Sequence, residues 1–237
     1  MMIEEKFFPD RERLVQALAN DCASKLQQGI REHGQASFLV SGGSTPEPVY
    51  RELSKRPLPW SDITVALVDE RWVEKSESGS NHAFIEKSLL QNAAADAPFL
   101  GMKTPHATAS EGEADCGRAY SELPRPFDVC ILGMGGDGHT ASLFPHAEGL
   151  EAALDVKGTQ LCKAITARQS EVTGVHTERM TLTLAAILQA RDIKLLITGE
   201  DKLKVYREAL LGSDEQEMPI RSILKQGLKA VTVYWAP

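Results

Sequence analysis

Residues 131–146 read ILGMGGDGHTASLFPH. Inside this stretch Gly133-Met134-Gly135-Gly136-Asp137-Gly138 spells G-x-G-x-x-G, the turn that opens a dinucleotide-binding unit. Such a turn leads into a long helix, with an acid about 20 residues on at the end of the next strand. Here Pro145 and Gly149 interrupt any long helix, and Asp155 ends no convincing apolar run. Asp137 and His139 also stand within the glycine turn, where a pyrophosphate would have to pass. The glycines read better as letting the backbone turn tightly and expose amides while Asp137 and His139 project into a cleft. A histidine of ordinary pKa, about 6.5, accepts a proton at neutral pH, and an adjacent carboxylate fixes its tautomer. The plainer alternative is that both side chains bond only to amides of the turn.

Working outward, FDVCILGMG (127–135) is a run of buried-strand character that delivers this turn. Upstream, SFLV (37–40) is a second such run, ending in SGGSTP (41–46) and then a helix with Pro46 or Pro48 in its first turn. ITVALVDE (63–70), LCKAIT (161–166), IKLLITG (193–199) and AVTVYW (230–235) read as further strands. A helix is expected over 10–33, where Leu14, Leu18, Cys22, Leu26 and Ile30 form one stripe between a capping Asp10 and Gly34. Others are expected over 81–92, 178–190 and 201–211. Strands alternating with helices, several of them continuously apolar, predict an α/β fold with a mostly parallel sheet covered on both faces. Ligands of such sheets sit beyond the carboxyl ends of the strands. Ser41–Thr45, Asp69–Arg71, Gly135–His139 and Gly199–Lys202 all follow or end predicted strands, so four segments should converge on one rim.

The chain has 237 residues, 42% of them apolar and 25% charged, with no long linker and no repeat, so residues 1–237 are expected to form a single domain. Its net charge of −7 argues against a nucleic-acid or anionic-membrane surface. An anionic ligand then needs a local basic pocket. The start, MMIEEKFFPD, has no apolar run of signal-peptide length, and no later stretch approaches a membrane span. A soluble, cytoplasmic protein is expected. Cys22, Cys116, Cys130 and Cys162 are widely separated and read as reduced structural thiols.

No G-x-S-x-G elbow occurs and Cys130 sits in an apolar strand, so covalent acyl transfer has no evident nucleophile. His139 and His146 stand on either side of a proline, without metal-ligand spacing, and no metal is expected. The remaining histidines, His33, His82, His106 and His176, read as surface or loop residues. Gly42, Gly43, Ser44 and Thr45, ahead of a helix, offer amides and hydroxyls to a phosphate. Arg179 and Lys202, each expected at the start of a helix, could balance its charge. Solvated helix ends are the plain alternative for both.

Together, SGGSTPEPVYREL (41–53), VDERWV (68–73), SN (80–81), GMGGDGHTASLFP (133–145), ERMTLTL (178–184) and TGEDKLKVYREAL (198–210) resemble the glucosamine-6-phosphate deaminase/6-phosphogluconolactonase family, on its lactonase side. Order and spacing match over about residues 10–235. The resemblance implies a modified doubly wound, Rossmann-like sheet. It also implies hydrolysis of the small-molecule substrate 6-phosphoglucono-1,5-lactone to 6-phosphogluconate, in the oxidative pentose phosphate pathway, without metal or organic cofactor. By position it makes His139 the base that activates water and Asp137 its neighbour. Arg71, Arg179 and Lys202 become ligands of the anionic substrate, and Gly43, Ser44 and Thr45 the phosphate loop. Arg71 or the amides around Gly135 and Gly136 would face the oxyanion; Asp69 would reach the sugar hydroxyls or hold Arg71, and Glu70 would hold Arg71.

Two rivals remain. An aminosugar-phosphate deaminase shares the phosphate loop and the D-G-H motif, but its next segment carries an acid, as in F-N-E-P, where this chain has Ser142-Leu143-Phe144-Pro145. A sugar-phosphate sensor would be fused to a basic recognition helix, and the first 35 residues supply only one helix with an acidic start.

Overall fold

The computed structural model describes residues 2–237. Strand β1 (Ile3–Phe7) leads into helix α1 (Arg11–His33), then β2 (Ala36–Val40), α2 (Glu47–Leu53), β3 (Ile63–Leu67), β4 (Asp69–Arg71) and α3 (Asn81–Ser88). There follow β5 (Phe99–Leu100), α4 (Ala109–Ser121), β6 (Val129–Leu132), α5 (Leu150–Ala153), β7 (Cys162–Thr166) and β8 (Glu178–Leu182). The chain ends with α6 (Leu184–Ile187), β9 (Asp192–Thr198), α7 (Glu200–Leu211), α8 (Ile220–Leu224) and β10 (Val231–Ala236).

Among the described residues, seven strands form one sheet in the order β1-β10-β9-β6-β2-β3-β5, every neighbouring pair parallel. Every residue of β2 and β6 is buried, as a sheet covered on both faces requires. From β2 the chain winds outward through β3 to β5; from β6 it winds the other way through β9 and β10. The order therefore reverses between β2 and β6, and a crevice opens there beyond their carboxyl ends. The α/β expectation holds.

Helix α1 follows its sequence stripe. Leu14, Leu18, Cys22 and Leu26 are buried, the Asp10 carboxylate accepts the Arg13 N–H at 2.8 Å, and Gly34 ends the helix at φ +78°. Fully burying each leucine is worth about 1.5–3 kcal/mol, which dominates the free energy of docking such a helix. Residues 178–190 do not form the expected helix. Met180, Leu184 and Ile187 recur at helical spacing, but Met180, Leu182 and Leu184 alternate as in a strand, and 178–182 is strand β8, after which Thr183 caps the short α6. The expected strand 63–70 is also divided. After β3 the chain leaves the parallel sheet, and β4 joins β8 and β7 in a small antiparallel sheet. That departure carries Asp69, Glu70 and Arg71 away from the main sheet and onto the rim. All four cysteines are buried and unpaired. No helix among the described residues is long and apolar enough to cross a membrane.

Candidate active site

The crevice at the β2/β6 reversal is a cleft of about 650 Å³. Its walls include Gly42, Gly43, Ser44 and Thr45 after β2, Asp69 and Arg71 of β4, and Gly135, Gly136 and His139 after β6. Arg179 of β8 and Lys202 of α7 complete the ring. Asp137 stands behind His139 rather than on the wall. Arg179 thus arrives on a strand, not at a helix start: it lies opposite Arg71 in the β4/β8 ladder.

His139 is fixed from two sides. Its Nδ1 lies 2.6 Å from Asp137 Oδ1, which also accepts the His139 backbone N–H at 3.1 Å. Its ring stacks on Phe144, with centroids 4.3 Å apart. Nε2 makes no hydrogen bond among the described residues, and the ring forms part of the cleft wall. Burial works to raise the Asp137 carboxyl, but the hydrogen bond and charge of His139 outweigh it and leave Asp137 below its ordinary range. Gly135 is needed for this approach, because a Cβ there would come within 2.0 Å of Nδ1. Gly135 therefore serves the Asp137–His139 pair. The Gly135 N–H donates to the His139 carbonyl at 2.9 Å and is not available to a ligand, which corrects the expectation that it faces an oxyanion. The Gly136 N–H has no acceptor among the described residues.

The segment after His139 ties the two halves of the site together. Ala141 adopts φ +48°, a left-handed conformation that costs a non-glycine residue roughly 1–2 kcal/mol. Next to it the Ser142 hydroxyl donates to Asp69 Oδ2 at 2.6 Å, and the Ser142 N–H donates to Thr181 Oγ1 at 3.2 Å. Asp69 therefore spends one carboxylate oxygen inside the protein. Glu70 holds backbone rather than the Arg71 guanidinium: it accepts N–H groups from Arg71, Asn81 and His82 at 2.7–2.8 Å.

The cations differ in their anchoring. Arg179 donates from Nε to His176 O at 2.6 Å and from Nη2 to Thr173 O at 2.9 Å, and its guanidinium lies 5.2 Å from the Phe144 ring. Burial pushes its pKa down to about 10, still protonated at neutral pH. Burial also lowers the Lys202 ammonium, against the opposing charge of Asp137. Lys202 has no hydrogen-bond or ion-pair partner among the described residues.

Tyr50 of α2 is a positioning residue that sequence reading missed. Its hydroxyl accepts the Ser41 N–H at 3.1 Å and donates to the Ser41 carbonyl at 2.9 Å, pinning the chain where β2 becomes the Gly42–Thr45 turn. Burial holds the phenol protonated. Tyr50→Phe leaves both Ser41 groups unpaired and should lower unfolding stability by about 1–3 kcal/mol, read from the urea midpoint. An unchanged midpoint would show that the pin carries no weight.

A family model described as glucosamine-6-phosphate isomerases/6-phosphogluconolactonase matches residues 9–235. A 6-phosphogluconolactonase of Pseudomonas aeruginosa is 41% identical over 223 residues, spanning 94% of this chain and 90% of that protein. One of Rhizobium meliloti is 40% identical over 230 residues, 97% of each chain. Among solved structures, a 6-phosphogluconolactonase from Shewanella baltica superposes over the whole of both chains with a TM-score of 0.93 and 42% identity. A monomeric glucosamine-6-phosphate deaminase superposes over 98% of this chain and 97% of its own with a TM-score of 0.78; at 20% identity the likeness is one of fold. With nearly every residue matched, and with the glycine turns, the D-G-H pair and the cations gathered in one crevice, the chain belongs to the glucosamine-6-phosphate isomerase/6-phosphogluconolactonase family.

Proposed function

We propose that the chain hydrolyses 6-phosphoglucono-1,5-lactone to 6-phosphogluconate, the second step of the oxidative pentose phosphate pathway, with His139 as general base. The observation that carries this reading is the ring of His139. One nitrogen is committed to Asp137 and the other is left without a protein partner in the same cleft as three cations. With Nδ1–H donated to the carboxylate, Nε2 holds the lone pair and can take a proton from water. The water oxygen bonds to C1 of the lactone and the carbonyl electrons move onto its oxygen. Their return breaks the C1–O5 ring bond, and the proton held on His139 passes to O5. An ester carbonyl needs no covalent intermediate for this, only an oriented water, a base and donors for the oxyanion.

We assign the oxyanion to Arg71 and the Gly136 amide, and the phosphate to Gly43, Ser44, Thr45, Arg179 and Lys202. Gly42 lets the turn reach the phosphate, and Asp69 offers its remaining acceptor capacity to a sugar hydroxyl. The relatives' names support the lactone over the aminosugar. So does Ser142, which stands where a deaminase would need an acid nearby and whose hydroxyl is occupied by Asp69.

The test is acid release followed at constant pH against the spontaneous background, with the 6-phosphorylated and the unphosphorylated lactone. Two charge-assisted contacts of about 1.5–3 kcal/mol each predict a preference of about 10²–10⁴ in kcat/KM for the phosphorylated substrate. Equal turnover of both lactones, or ammonia release from glucosamine 6-phosphate, would overturn the reading.

A further inference from the structure

We propose that Asn81 is a positioning residue for the reaction, its carboxamide setting the direction in which Arg71 faces the cleft. The role rests on the lactone-hydrolysis reading for its kinetic consequence, though not for its geometry. Asn81 is the first residue of α3, 3% exposed, and borders the cleft. Its Nδ2 donates to the Asp69 carbonyl at 2.8 Å, with Asp69 Oδ1 at 3.4 Å, and its Oδ1 accepts from Arg71 Nη1 at 3.2 Å.

This arrangement admits one orientation of the amide. The Asp69 carbonyl can only accept and the guanidinium can only donate, so the amide nitrogen must face Asp69 and the oxygen Arg71. A carboxylate would set oxygen against oxygen at Asp69, and an apolar side chain would satisfy neither neighbour. The backbone beneath is held as well. Glu70 accepts the N–H groups of both Asn81 and Arg71, so the two residues move as one unit.

Arg71 Nη1 is thereby committed to Asn81 and to the Gly79 carbonyl, 2.5 Å away. Its Nη2 donates to no group, and its buried Nε has no partner, among the described residues. The Nε lies beneath the surface, so Nη2 is the donor left for a ligand. A guanidinium tied at Nη1 with Nη2 unspent is preorganised for a ligand. Without Asn81, only the Gly79 carbonyl resists rotation of the group.

The same carboxamide reaches the opposite wall. A Cβ on Gly42 would lie 2.0 Å from Asn81 Oδ1, so the glycine turn closes directly onto it. The carboxamide is thus packed on by Gly42 on one side while it holds Asp69 and Arg71 on the other.

The test is a double-mutant cycle on Asn81 and Arg71 with the phosphorylated lactone. Asn81→Ala should lower kcat by about 10–100-fold, the worth of one hydrogen bond to a charged group, with KM within about threefold. Arg71→Ala should lose at least as much. The double variant should fall no further than Arg71→Ala, because Asn81 acts through Arg71. Multiplying losses, or a change confined to KM, would overturn the proposal. If Asn81→Ala does not fold, Asn81→Leu keeps roughly the size and removes both the acceptor for Arg71 and the donor to Asp69, and the same non-additivity is expected. A crystal structure of the folded variant tests the geometry without any substrate: the Arg71 guanidinium should leave its wild-type orientation or occupy several. An unmoved guanidinium would contradict the positioning role even if the lactone proves to be the wrong substrate. Absence of lactone turnover by the wild type would instead count against the proposed function alone.

Discussion

His139→Ala should lower kcat by about 10²–10⁴, the usual cost of losing a general base, while KM for the phosphorylated lactone changes little. The split follows from geometry. The ring stacks on Phe144 and binds Asp137, and among the described residues no hydrogen bond ties it to the Gly42–Thr45 turn. Removing it leaves the phosphate ligands in place. Phe144 loses a stacking partner but keeps Arg179 beside it, so the fold should persist and the thermal midpoint should move little. Steady-state kinetics with the spontaneous rate subtracted would decide it, and a variant that kept full turnover would remove His139 from the mechanism.

Asp137→Asn should cost nearly as much, about 10²–10⁴ in kcat, although it changes one atom. The wild-type carboxylate can only accept, which forces the proton onto Nδ1 and leaves Nε2 as the base. An amide can instead donate to Nδ1, moving the ring proton to Nε2, where it blocks proton uptake from water. The low pKa of Asp137 means that this acceptor is present throughout the neutral range. Asn matches Asp in size, but Oδ1 accepts both the ring and the backbone N–H, so an amide turned to donate to Nδ1 gives up the backbone bond as well. Wild-type kcat in Asp137→Asn would mean that the carboxylate does not choose the tautomer.

The parts of the site that sequence revealed are those built locally. Asp137 and His139 are two residues apart in one turn, and each of the turns after β2, β6 and β9 follows a strand whose apolar run is unmistakable. Knowing that strands end there is enough to gather Ser44, His139 and Lys202 on one rim. The small antiparallel sheet was not legible in the same way. Strand β4 is three residues long and pairs with a strand more than a hundred residues later, which no local period announces. Arg179 was therefore recognised as a site cation but set on a helix, since Met180, Leu184 and Ile187 fit the helical period while Met180, Leu182 and Leu184 fit that of a strand.

Helix α4 was missed despite a readable signal: Thr108 and Glu111 form a capping box, with the Thr108 hydroxyl accepting the Glu111 N–H at 3.2 Å. Tyr50, Asn81 and Ser142 are different. Their identities were visible in the motifs, but their work lies in contacts with Ser41, Arg71 and Asp69, which only the folded chain brings together. Charge and glycine patterns disclose which groups meet a ligand. The neutral side chains that aim those groups carry no such mark.

The most direct measurement is a crystal structure with 6-phosphogluconate bound. The phosphate should lie among Ser44, Thr45, Arg179 and Lys202, with the C1 carboxylate near Arg71 and within about 2.6–3.2 Å of His139 Nε2, directly or through one water. A product lying the other way round, or an imidazole turned from C1 with no water between them, would contradict the account.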